Sequence, residues 1–109
     1  MKVSLLAGLC CAAALPLAHA QALDVPAAEA LVKKSGCLKC HSVSAKKEGP
    51  SFKDTAARYK GKADAEAALV KHLTTNPKIK VDGREELHDS LKTRNDAEVR
   101  NVVAYILSR

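Results

Sequence analysis

The chain has 109 residues, and its 18 lysines and arginines outnumber 12 acidic residues to give a formal net charge of +6. A chain of this length forms one small domain, which buries too little surface to be stable by a wide margin. With one phenylalanine, two tyrosines and no tryptophan, it fills a core poorly and offers few stacking surfaces for nucleic acid. We therefore expect no nucleic-acid partner and a domain that needs additional stabilisation.

Residues 1–20 have the pattern of a cleavable secretory signal. Lys2 supplies a positive start, the stretch to Leu17 is mostly apolar, and residues 18–20 have the small-x-small form that signal peptidase recognises. Removing 20 of 109 residues leaves 89, one domain over residues 21–109, and loss of Lys2 lowers the net charge from +6 to +5. The apolar stretch is short for a membrane span. We expect a periplasmic protein whose mature chain has no membrane span.

Four helices are predicted along the mature chain. Their expected bounds are Asp24 to about Lys34, Phe52 to Tyr59, Asp64 to Thr75, and Asn95 nearly to the C-terminus. The first has an Asp cap, the third stops before a proline, and in the last Asn95 and Glu98 form a capping box ahead of an apolar stripe. No segment alternates for long enough to predict a sheet. The predicted fold class is all-α.

Residues 37–41, between the first two helices, have the sequence CLKCH. Two cysteines separated by two residues and followed directly by histidine form a haem c attachment motif. Each thiol can add to one porphyrin vinyl group, and the histidine can ligate the iron. The motif predicts one covalent haem c, attached through Cys37 and Cys40 and ligated by His41.

Two other chemistries use a CxxC pair. A closed zinc site needs four ligands, usually in two clusters, and the sequence has no second CxxC or HxxxH pair. A thioredoxin-like redox pair follows a strand in an alternating β/α pattern, and no such pattern surrounds this motif. Haem is therefore the favoured cofactor.

The sequence resembles the small bacterial class I c-type cytochromes from about residue 24 to residue 108. The landmarks are GCLKCH at 36–41, GPSFKD at 49–54, AEAAL at 65–69 and YILS at 105–108. The resemblance implies a class I cytochrome c fold, with three to five helices wrapped around one haem. It also implies that Pro50 offers its carbonyl to the ring N–H of His41, and that His72 is directed at a haem propionate.

The chain departs from that family at the distal side of the haem. The family usually places a methionine before the last helix, but the only methionine here is Met1. Counting from the neighbouring landmarks places the ligand between about 86 and 89, a window that contains His88. We therefore predict His41 and His88 as the two axial ligands. The alternative sixth ligands are water, His72, Lys78, Lys80 and Lys92.

Two imidazole ligands predict an electron carrier rather than an enzyme, because they leave no iron position open to a substrate. They should lower the reduction potential by roughly a few tenths of a volt relative to a methionine ligand. The alternative function is a haem enzyme or gas-ligand sensor with a displaceable sixth ligand. We expect a monomer that exchanges electrons with redox partner proteins. Lysines at 33, 34, 39, 46 and 47 predict acidic docking faces on those partners, or form a merely solvated basic face.

Overall fold

The computed structural model describes residues 21–109, and the predicted signal segment lies outside the described residues. Helices α1, α2, α3 and α4 span Val25–Lys34, Phe52–Tyr59, Ala65–Thr74 and Asp96–Leu107. A 3₁₀ turn covers Cys37–Lys39, and two antiparallel strands, β1 (Lys78–Val81) and β2 (Arg84–Leu87), lie between α3 and α4. Within residues 21–109 no helix is long and apolar enough to cross a membrane. The prediction of a mainly helical fold is confirmed.

The helices begin where local signals place them. The side chains of Asp24, Ser51 and Asn95 cap α1, α2 and α4 by accepting hydrogen bonds from backbone N–H groups two or three residues further on. In a capping box the Glu98 carboxylate would also accept from the backbone N–H of Asn95, but this second bond is not made directly. The hydroxyl of Thr93 donates to the Glu98 carboxylate and accepts from the backbone N–H of Asn95 at 3.1 Å. A threonine hydroxyl therefore stands between the two groups of the predicted capping box.

Helix α4 is the centre of the described fold, because α1, α2 and α3 all pack against it. Its inward face buries Val99, Val102, Val103, Tyr105 and Ile106. The ring of Tyr105 also meets that of Phe52 edge-on, with centroids 6.2 Å apart. Apolar side chains on three helices thus share one core around α4.

The prediction that the chain contains no sheet is wrong for residues 78–87. Each strand has only four residues, and β2 is exposed along its whole length, so no alternation of buried and exposed residues is long enough to recognise. The missed signal is the pair Asp82-Gly83, whose φ angles of 49° and 79° suit a type I′ hairpin turn. The strands pair in register from Lys78 with Leu87 to Val81 with Arg84.

One buried side chain joins the two ends of the described chain. Asn101 of α4 is 6% exposed. Its Oδ1 accepts from the backbone N–H of Asp24 at 2.9 Å, and its Nδ2 donates to the carbonyl of the same residue at 2.8 Å. Asn101 therefore fixes the start of α1 against α4, which sets the direction in which α1 leads into the CLKCH motif.

Replacing Asn101 with alanine should lower the free energy of unfolding by about 1–3 kcal/mol, because the part-buried N–H and carbonyl of Asp24 both lose their partner. The control is Arg100→Ala, one residue away. Arg100 pairs with Glu66 on the surface, where the two side chains are 60% and 56% exposed, and such pairs contribute about 0–1 kcal/mol. Urea unfolding of the haem-loaded variants measures both effects. Equal losses in the two variants would contradict the role given to Asn101.

Candidate haem-binding site

One cavity of about 400 Å³ brings the predicted site residues together. Cys37, Cys40, Pro50 and all the histidines of residues 21–109 line it. Its remaining wall is largely apolar, with contributions from all four helices and both strands. These apolar residues include Val32, Phe52, Leu69, Leu73, Ile79, Val81, Val102 and Ile106. The cavity thus combines an apolar interior with two thiols and three imidazoles.

The local backbone turns both thiols of the motif toward the cavity. Gly36, with φ of 75°, begins the 3₁₀ turn, and the backbone N–H groups of Cys40 and His41 both donate to the carbonyl of Cys37, at 3.3 and 2.9 Å. Both cysteines are free thiols. Two free thiols on one turn, facing one cavity, fit a cofactor that takes two thioether bonds.

Each thiol is held in its protonated form. Burial raises the pKa of Cys37. A hydrogen bond of 3.3 Å to the carboxylate of Glu48 raises the pKa of Cys40. The contact with Glu48 is not part of the sequence prediction, although the residue lies only eight positions beyond Cys40.

His41 is fixed on three sides. Its Nδ1 lies 2.7 Å from the carbonyl oxygen of Pro50, which can only accept, so Nδ1 carries a proton and the lone pair of the neutral ring is on Nε2. Phe52 stacks on the ring, with centroids 5.7 Å apart. A Cβ at Gly49 would lie 2.5 Å from Cε1 of the ring. The expected contact with Pro50 is present, and Gly49 adds a steric requirement that the sequence analysis missed.

His88 lies directly after β2, and its backbone is held at both polar groups. Its N–H donates to the carbonyl of Pro77 at 2.8 Å, and its carbonyl accepts from the side chain of Asn76 at 3.0 Å. The His88 ring centroid is 6.1 Å from that of His41. With metal–nitrogen bonds of about 2 Å, two imidazoles on opposite sides of one metal ion have ring centres about 6 Å apart. The spacing fits a haem iron between them.

His72 also lies in the cavity, on α3. Its ring centroid is 4.2 Å from that of His88, with the planes tilted by 49°. Burial lowers the pKa of both His72 and His88, and neighbouring imidazoles lower each further. Both rings are therefore favoured in the neutral form. The contact of His72 with a haem propionate stays a prediction.

Two cationic residues lie at the cavity: Arg58, which the sequence does not single out, and Lys80, which it offers only as an alternative sixth ligand. Arg58 is on α2 and Lys80 on β1, and both are exposed at the cavity margin. No motif marks them, because helix α2 and the hairpin bring them together only in the folded chain. Lysines 33, 34, 39, 46 and 47 are all exposed, as the sequence analysis expects of a basic surface.

Comparison with solved structures identifies the fold. The class 1 cytochrome MtoD from Sideroxydans lithotrophicus ES-1 is 47% identical, with a TM-score of 0.75 over 80% of this chain and 97% of that one. Wild-type cytochrome c552 of Nitrosomonas europaea is 29% identical, with a TM-score of 0.58 over 73% of this chain and 96% of that one.

Sequence comparisons give the same family. Cytochrome c-551 of Pseudomonas aeruginosa is 44% identical over 45 residues, which are 41% of this chain and 43% of that protein. Cytochrome c2 of Rubrivivax gelatinosus is 32% identical over 78 residues, which are 71% of this chain and 91% of that protein. The Cytochrome c family model matches residues 25–109. Members of this family bind haem c covalently through cysteines, which here are Cys37 and Cys40. The chain belongs to the cytochrome c family, as a small class I c-type cytochrome.

Proposed function

We propose that this protein is a periplasmic electron carrier with one haem c, ligated by His41 and His88. The observation that carries the proposal is the 6.1 Å separation of these two rings across the cavity that both cysteines line. When bound, the haem supplies an iron centre that accepts and releases one electron. A periplasmic location rests on residues 1–20 acting as a cleaved signal.

The chain's own residues hold this group from several directions. Cys37 and Cys40 form the thioethers, and His41 presents Nε2 because its Nδ1 donates to Pro50. The charged propionates need cationic or hydrogen-bonding partners. We assign this role to Arg58 and Lys80, the cationic side chains at the cavity.

Ligation by two histidines determines the type of activity proposed. Imidazole donates more strongly to ferric iron than a thioether does, so the reduction potential should lie below that of a methionine-ligated cytochrome. With His41 and His88 both bound to the iron, no iron position would be left for oxygen, peroxide or a gas. Outer-sphere electron transfer requires no such position. The proposed activity is therefore electron transfer between redox partners, not catalysis.

The surface around the attachment motif supports a partner with an acidic face. The basic cluster, defined as lysines 33, 34, 39, 46 and 47, is exposed. Leu38 and Val43 lie within the same segment and are 43% and 40% exposed. Exposed lysines and exposed apolar side chains in one segment suit a transient complex that charge steers and that dissociates readily. We propose that electrons enter or leave on this side, and that the protein acts as a monomer.

Replacing His88 with alanine should convert the ferric protein from low spin to high spin, because one strong axial ligand is lost. The visible spectrum and low-temperature electron paramagnetic resonance of the haem-loaded protein measure the change. Lys78→Ala is the control, since it removes another of the alternative nitrogen ligands and should leave the protein low spin. A high-spin wild type would contradict the ligand assignment and favour a gas sensor or enzyme, and a low-spin His88 variant would show that another side chain binds the iron.

Replacing Gly49 with alanine should displace His41, because the added Cβ meets the ring at 2.5 Å. We expect a loss of stability of about 1–3 kcal/mol, as for other overpacked sites, together with a partly high-spin ferric spectrum. Gly61→Ala is the control. Gly61 has φ of 75° with nothing within 4 Å of an added Cβ, so alanine there costs backbone strain but should leave the spectrum unchanged. Identical spectra for the two variants would show that Gly49 does not constrain the ligand.

The proposed basic docking side predicts opposite salt responses for oppositely charged reagents. Oxidation of the ferrous protein by hexacyanoferrate(III), an anion, should slow as ionic strength rises from about 0.01 to about 0.15 M, because the screening length falls from about 30 to about 8 Å. Oxidation by the cation tris(phenanthroline)cobalt(III) should accelerate. Stopped-flow absorbance measures both rates.

The lysine cluster is tested directly by substitution. Lys39→Gln combined with Lys47→Gln should weaken the salt response to the anion, whereas Arg94→Gln, outside the cluster and the cavity, should not. A response that stays the same in the double variant would remove the cluster from the docking side.

A further inference from the structure

The two proposed axial rings are held in different ways. His41 has its second nitrogen hydrogen-bonded to the carbonyl of Pro50 at 2.7 Å. The corresponding nitrogen of His88, Nδ1, is buried and makes no hydrogen bond of normal geometry among the described residues, although a backbone group of Asp89 lies near the ring. The bonds at the His88 backbone fix where its Cα lies, but they do not fix the rotation of the ring. The orientation of this ring must come from what it packs against.

The ring that packs against His88 is that of His72. The two centroids are 4.2 Å apart and the planes are tilted by 49°, which is slightly closer than the roughly 4.5–7 Å typical of packed aromatic rings. His72 itself comes from a fixed position. It lies on α3 beside Leu73 and one turn beyond Leu69, two core residues that are 7% and 5% exposed.

We propose that His72 is the positioning residue of the distal ligand, holding the rotation of the His88 ring by packing against its face. This inference rests on the proposed ligation by His41 and His88. In the structure the planes of those two rings differ by 57°. Pro50 fixes one plane through a hydrogen bond, and His72 fixes the other through contact. The angle between the two ring planes is then set by Pro50 and His72, and not by the haem itself.

That angle has a direct spectroscopic readout. In low-spin ferric haem with two imidazoles, the mutual angle of the ring planes governs how far the g values spread. A ring free to rotate samples a range of angles and broadens the resonance. The position and width of the largest g value therefore report on the orientation of His88, separately from whether it is bound.

The test uses haem-loaded ferric protein with His72→Leu and His72→Phe. Leucine keeps the apolar volume on α3 but removes the flat ring, so we expect a shifted and broadened largest g value with the protein still low spin. Phenylalanine restores a ring without nitrogens, so the signal should return toward that of wild type. Lys71→Gln, an exposed neighbour on the same helix, should change nothing. His72→Gln replaces the leucine variant if that variant does not take up haem.

The outcomes separate this inference from the ligand assignment. A low-spin wild type with unchanged g values in His72→Leu overturns the positioning role alone. A propionate contact would need the nitrogens of His72, so a phenylalanine variant that matches the leucine variant also overturns positioning by ring packing. A high-spin wild type overturns the proposed ligation, and the positioning role with it.

Discussion

The arrangement of the site depends on the contact between His41 and the segment Gly49-Pro50. A loop of seven residues leaves the CLKCH motif and returns, with the N–H of Gly49 donating to the carbonyl of Cys40 at 2.8 Å. The return places a carbonyl beside Nδ1 of His41 and a residue without a side chain against the ring. Helix α2 begins directly afterwards and adds Phe52 to the third side. The ring of His41, the proposed ligand, and one wall of the cavity are thus fixed by the same short segment.

The CLKCH motif is attached to the helical part of the fold more extensively than the hairpin that precedes His88. The motif follows α1, which is packed on α4 and tied to it through Asn101. The hairpin that precedes His88 is joined to the helices mainly near its base, where the N–H of Leu91 donates to the carbonyl of Leu73 at 2.9 Å. Most backbone bonds of the hairpin lie between its own strands. A proposed ligand that follows such an element needs a contact from the helical part, and His72 on α3 makes one with the His88 ring.

The sequence predicted what local signals encode. Caps at Asp24 and Asn95, and the proline after Asn76, are read from neighbouring residues, so the helix bounds agree with the structure. The CLKCH motif carries its chemistry in five consecutive residues. The hairpin was missed because β2 buries nothing, although Asp82-Gly83 marked its turn. Two close contacts could not be predicted: that of Gly49 with His41 and that of His72 with His88. In both, the two residues meet only because of the path that the chain takes between them.

The attachment of His88 favours electron transfer over ligand binding in the proposed ligation. Releasing this side chain from iron by moving the chain would break the bonds to Pro77 and Asn76, each worth about 0.5–1.5 kcal/mol. Moving the ring alone would require it to leave the face of His72. Both motions cost free energy, and a gas sensor would have to make one of them each time a gas binds. An electron carrier needs neither motion, because its axial ligands stay in place while the iron changes charge. The restraints on His88 therefore suit a centre that changes oxidation state with little movement.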